Sequence, residues 1–187
     1  MKWPQTNPNP INAQSLAWLE APVRSITAEI EILINFHQEL LETVKAEKES
    51  LVFFDLEKIG QLTGRKEELI AEIITSEKKR KQIQEQIETY FKLAPNQVNK
   101  SKIISWLGVG SQIGQDFKKF ADELESLIDQ IKNATQTNNG FIQSSIEIIN
   151  RIRCNLSSQV FGNTTVYAKS GKQKQGRSRM LSFQTNI

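Results

Sequence analysis

Apolar residues recur in this chain at alternating steps of four and three, the spacing that lines one face of a helix packed along another helix. The first such run is Ile26, Ile30, Leu33, His37, Leu40, Val44, Glu47 and Leu51, widened by Ile34 and Leu41. Glu29, Glu31, Glu39, Glu42, Lys45, Lys48 and Glu49 occupy the other face. A second run is Leu69, Ile73, Ser76, Arg80, Ile83, Ile87 and Tyr90, which predicts a helix from about Thr63 to Leu93. Between the two, Asp55 follows Phe53-Phe54 and suits a helix cap. A short link between two helices of similar length predicts an antiparallel hairpin. A turn centred near Glu57-Lys58 would set His37 opposite Ser76, Glu77 or Arg80, giving a polar layer that fixes register.

After Pro95 a short apolar piece, Ile103 to Leu107, lies between candidate caps Asn96 and Asn99 and the glycines Gly108 and Gly110. A third helix then begins near Ser111. Its seam is Ile113, Phe117, Phe120, Leu124, Leu127, Ile131, Ala134, Asn138, Phe141, Ser145, Ile148 and Ile152. The phase holds across Thr135-Gln136-Thr137-Asn138-Asn139-Gly140, which on its own is a strong turn signal. An accidental turn seldom preserves phase, so a continuous helix of roughly 75 Å is favoured over a fourth helix folded back at 141–160. The hairpin covers this helix to around Ile142. Beyond it, Phe141, Ile142, Ile146, Ile149, Ile152, Leu156, Val160 and Phe161 form one broad apolar face without a predicted partner, with Ile148 a seam neighbour on the scaffold side.

The fold class that follows is all-α: a long antiparallel, coiled-coil-like helical hairpin or bundle with a long C-terminal helix. Three of the five prolines fall in residues 1–12, and Pro22 is expected to end a short helix over Ile11–Ala21. The organisation expected is a flexible leader over 1–22, a helical body over 23–160 and a basic flexible tail over 161–187. From Phe161 onward there are five basic residues and no acid, whereas the preceding 160 carry 19 basic and 21 acidic side chains. A balanced body argues against nucleic-acid binding.

Charge and composition offer little chemistry. The single histidine, His37, sits on a helix seam, where a structural role outweighs catalysis, and with no second histidine a metal cluster is not expected. The one cysteine, Cys154, allows no internal disulfide. Gly108-Val109-Gly110 with Gly114 has the wrong spacing for a dinucleotide fingerprint. No enzyme activity and no cofactor are expected. The start, Met1-Lys2-Trp3-Pro4, opens no apolar signal segment, and no run approaches the roughly 20 apolar residues of a membrane span, so the cytoplasm is the expected compartment.

Three stretches together resemble the FlgN family of flagellar export chaperones. The first is Asp55-Leu56-Glu57-Lys58-Ile59-Gly60-Gln61-Leu62-Thr63 with Arg65 to Ile70, followed by Glu77 and Arg80. The second is Asn139-Gly140-Phe141-Ile142. The third is Val166-Tyr167-Ala168 with Gly171, where the family prefers glycine in place of Ala168. The resemblance spans about residues 25–171. It implies a chaperone that binds the C-terminal helical segments of hook–filament junction proteins of the FlgK and FlgL type. Such a chaperone prevents their premature assembly and delivers them to the type III export apparatus, whose gate is a further partner. It also adds Val166 and Tyr167 to the partner-binding residues. Two other readings stay open: a homomeric coiled-coil scaffold, so that monomer and homodimer are both allowed, and a peripheral membrane or nucleic-acid binder acting through the tail.

Overall fold

The structure, a computed structural model, describes residues 13–108, 110–161, 166–167 and 173–174. Four helices run in the order α1 (Ala13–Val52), α2 (Leu56–Tyr90), α3 (Lys100–Leu107) and α4 (Gln112–Phe161). They are followed by the two-residue strands β1 (Val166–Tyr167) and β2 (Gln173–Lys174). The fold is all-α, as the seam spacing predicts. By contact density the chain divides into two units at Asn139/Gly140.

In the first unit, α1 does not stop at Pro22. The proline deprives the Trp18 carbonyl of its usual helical donor, a cost that ordinarily breaks a helix. Here Leu19 and Val23, on either side of it, are completely buried, and Ile26 is nearly so. Burial of these side chains offsets the lost bond, and the expected boundary at residue 22 falls inside α1.

The link to α2 is tighter than the sequence suggests. The Phe54 amide donates to the Leu51 carbonyl and the Asp55 amide to the Ser50 carbonyl, closing α1 with a Schellman-type cap. Phe54 takes the left-handed position of that cap, with φ 56°. Asp55 then caps α2 by accepting from the Lys58 amide at 3.0 Å. The second helix thus begins at Leu56, seven residues before the predicted start, and runs through Gly60 and Gly64. The hairpin is antiparallel. Trp18 stacks on Tyr90, the Ser76 hydroxyl donates to Glu29 at 2.8 Å, and Arg65 pairs with Glu39.

That earlier turn corrects the predicted register. His37 is buried on the seam, as expected of it, but its Nδ1–H donates to the Leu33 carbonyl of its own helix at 2.7 Å. Ser76 falls opposite Glu29, about two turns away from His37. The small cluster of Leu40, Val44 and Leu69 lies toward the tip of the pair.

Asn99 caps α3 through the Lys102 amide at 2.9 Å, and Gly108, at φ 82°, ends it. The first half of α4 then packs on α1 and α2 through Ile113, Phe117, Ala121, Leu124 and Leu127, in one core with Val23, Ile30, Ile34 and Ile87. A groove lined by Thr27, Ala28, Ile113 and Phe120 marks one end of the contact, and Asn138 against Val44 marks the other. α4 therefore runs parallel to α1 and antiparallel to α2.

α4 also continues unbroken through Thr135–Gly140. Thr137 and Ser144 turn their hydroxyls back onto the carbonyls of Asn133 and Gly140, four residues earlier, and so compete little with the helix. Within the expected basic tail, β1 and β2 form an antiparallel ladder with Val166 opposite Lys174 and Tyr167 opposite Gln173. The rest of the tail and residues 1–12 of the expected leader lie outside the described residues.

Candidate functional site: an apolar helix face

The seam of α4 changes character at Asn138. Upstream, Ile113, Phe117, Leu124 and Leu127 are buried, and Asn138 itself is 2% exposed. Downstream, within the second unit, Ile142 and Ser145 are half-buried. Phe141 is 37% exposed, and Ile146, Ile148, Ile149, Ile152 and Leu156 are 46–58% exposed. Ile148, expected on the scaffold side, is as open as Ile149. Val160 and Phe161 belong to α4, and Val166 and Tyr167 to β1, by their backbones. Their side chains lie outside the described residues.

At 3.6 residues per turn the apolar positions from Phe141 to Leu156 share a face roughly 160° wide. Arg153 lies at its Ile146 edge, whereas Arg151 lies about 60° beyond Ile148, on the polar side next to Glu147. Glu147 lies on the far side and meets Arg151 only at 3.9 Å, with both side chains mostly exposed. Exposed pairs of this kind contribute little. An apolar stripe of this width is suited to burying the apolar face of another amphipathic helix.

A polar layer fixes the point where the buried seam ends. The Asn138 amide donates to the Val44 carbonyl at 2.9 Å and to Glu47 at 3.1 Å. The other oxygen of Glu47 accepts from Lys66 of α2. Three helices are thereby tied through Asn138, Glu47 and Lys66, and Asn138 and Glu47 are buried. The seam spacing places Asn138 and Glu47 at core positions, but their meeting depends on which turn of α4 faces which turn of α1.

Two other features escaped the seam analysis. At the hairpin tip, Val52, Phe53, Phe54 and Leu56 are exposed, Phe53 to 81%. Their signal in the sequence is a pair of adjacent phenylalanines out of phase with the heptad. At the opposite end, Glu88 is buried at the close of α2, and its carboxylate accepts from the Val98 amide at 3.2 Å and from the Gln84 side chain at 3.2 Å. Burial pushes its pKa up, but donors from Val98, Gln84, Asn96 and Gln97 together outweigh burial and hold it below the ordinary carboxylate value.

A cleft of about 300 Å³ is lined by Ile26, Ile30, Arg80, Lys100 and Phe117 among others. Its charges are already matched. Arg80 pairs with Glu77, and Lys100 pairs with Glu125 and Asp122, which raise the Lys100 pKa above its usual value. Among the described residues no three His, Cys, Asp or Glu side chains are grouped to hold a metal ion. No described helix is long and apolar enough to cross a membrane.

No curated protein and no solved structure matches the chain. The family model described as FlgN protein matches residues 23–175, which include α1 from Val23 onward, all of α2, α3 and α4, and both strands. With more than half its length matched, the chain belongs to the FlgN family of flagellar export chaperones.

Proposed function

We propose that this chain holds the C-terminal helical segments of hook–filament junction proteins of the FlgK and FlgL type in the cytoplasm. It keeps them from assembling early and passes them to the type III export apparatus. The docking surface is the apolar face from Phe141 to Phe161 together with the Val166-Tyr167 step. The observation that supports this reading is the open stripe of Ile146, Ile149, Ile152 and Leu156 on a helix whose preceding turns are packed. Covering that stripe with a partner helix would also hide the partner's own apolar face, as a holding chaperone requires.

The test pairs Ile149→Asp and Ile152→Asp with thermal unfolding and with pull-down of a junction-protein C-terminal fragment. Binding should be lost while melting is unchanged. Ile152→Ala should weaken binding by about 2 kcal/mol, or about thirtyfold. Lost melting in the chain alone would identify the face as core, and unaffected binding would place the site elsewhere.

A further inference from the structure

The charge of the chain is divided as sharply as its burial. Residues 140–187 hold seven basic side chains and one acid, a net of +6, whereas residues 1–139 hold 17 basic and 20 acidic ones, a net of −3. The apolar face of α4 lies in the basic part. The one charged side chain at its edge, Arg153, is basic and exposed, and the lone acid, Glu147, is on the opposite side of the helix, where the exposed Arg151 lies beside it. The remaining five bases follow Phe161. Residues 140–187 contain no histidine, so this positive charge persists across the physiological pH range.

We propose that the occupant of this face is an amphipathic helix whose apolar seam is flanked by acidic residues. The proposal rests on the reading of the face as a docking surface and adds the partner's chemistry. A second copy of this chain is disfavoured as occupant, because pairing the two faces would set +6 against +6. A membrane surface is disfavoured as well. The polar side of this stretch carries Gln143, Ser144, Glu147, Asn150, Arg151 and Asn155, one base matched by one acid, not the rows of lysines and arginines of helices that lie on anionic lipid. An acidic flank on a partner helix would meet Arg153 at the edge of the face, and the excess of basic residues in 140–187 would attract it.

The test titrates the full chain with two synthetic amphipathic peptides of roughly three heptads, sharing one leucine seam. One carries glutamate at the flanking positions and the other lysine. The glutamate peptide should bind about tenfold more tightly at low ionic strength, and the difference should shrink as salt screens the flanks. Arg151→Glu with Arg153→Glu, at exposed positions where melting should not change, takes residues 140–187 from +6 to +2 and should diminish the preference. Equal or tighter binding of the lysine peptide, failure to bind either peptide, or an unaltered preference in the charge-reversed chain would overturn the proposal. So would self-association, or binding to phosphatidylserine vesicles, that Ile149→Asp abolishes. Ile149→Asp itself should release both peptides. If it releases neither, the docking surface is elsewhere and the failure belongs to the proposed function; if it releases both while the charge preference is absent, only the acidic partner is refuted.

Discussion

Phe54 holds a left-handed backbone position that glycine adopts without strain, and its side chain is 65% exposed. Phe54→Gly should therefore stabilise the chain by about 1 kcal/mol, read as a higher denaturant midpoint at unchanged slope. A lower midpoint would mean that the exposed ring contributes more than the strain costs. Glu88 makes the opposite kind of contribution, through its charge. Its carboxyl pKa is lowered in the folded chain, so its stabilisation is complete above the unfolded value of about 4.5 and disappears as pH falls through the folded one. Glu88→Gln should melt at a lower temperature than the parent at pH 7, and the two melting curves should converge on acidification below about pH 4.5. A gap that does not narrow on acidification would show that the amide, not the charge, is at fault.

At the scale of the element, α4 is one helix with two kinds of surface. Leu124 packs in the core with Ile30 and Phe117, and Leu124→Ala should cost about 3 kcal/mol of unfolding free energy. Ile152, four heptads later at the same seam position, is 53% exposed, and its truncation should change unfolding by less than about 0.5 kcal/mol. Chemical denaturation of the two variants side by side checks the contrast; a comparable loss in both would mean that the distal stripe is packed. The heptad spacing located both residues on one seam. It could not separate them, because a helix repeats its pattern whether or not a neighbour is there to cover it. The same limit misplaced the hairpin turn. Seam periodicity is indifferent to a shift of one turn, whereas the Schellman-type cap at Phe54 and the Asp55 cap are specified by short-range backbone hydrogen bonds.

At the scale of the whole molecule, the described core residues lie between Leu16 and Ala134, and the buried polar layer ends with Asn138. Truncation after Asn139 should therefore leave a helical unit that melts cooperatively near the temperature of the full chain, followed by circular dichroism. It should bind no junction-protein fragment if the docking face is where the exposed stripe puts it. A large drop in melting temperature would show that residues 140–187 support the first unit. The charge division follows the same boundary, so truncation also removes the basic part and leaves an acidic chain, a change visible in ion-exchange retention.

The sequence by itself determined the all-α class, the antiparallel pairing and the unbroken phase of α4. Each follows from local spacing of apolar side chains and from the scarcity of proline and glycine in the helical segments. It also carried the family resemblance and the residues of the apolar face. Tertiary structure decided the rest. Pro22 sits within a helix because Leu19 and Val23 are buried around it. Ser76 meets Glu29 and not His37 because the turn comes at Phe54. Asn138 stays helical inside a turn-prone run because Val44 and Glu47 accept from its side chain. For Pro22 and Asn138 a contact between residues distant in the chain outweighs a local preference of a few kcal/mol at most, and no local pattern records which distant residue will supply it; for Ser76 the short-range cap at Phe54 sets the register.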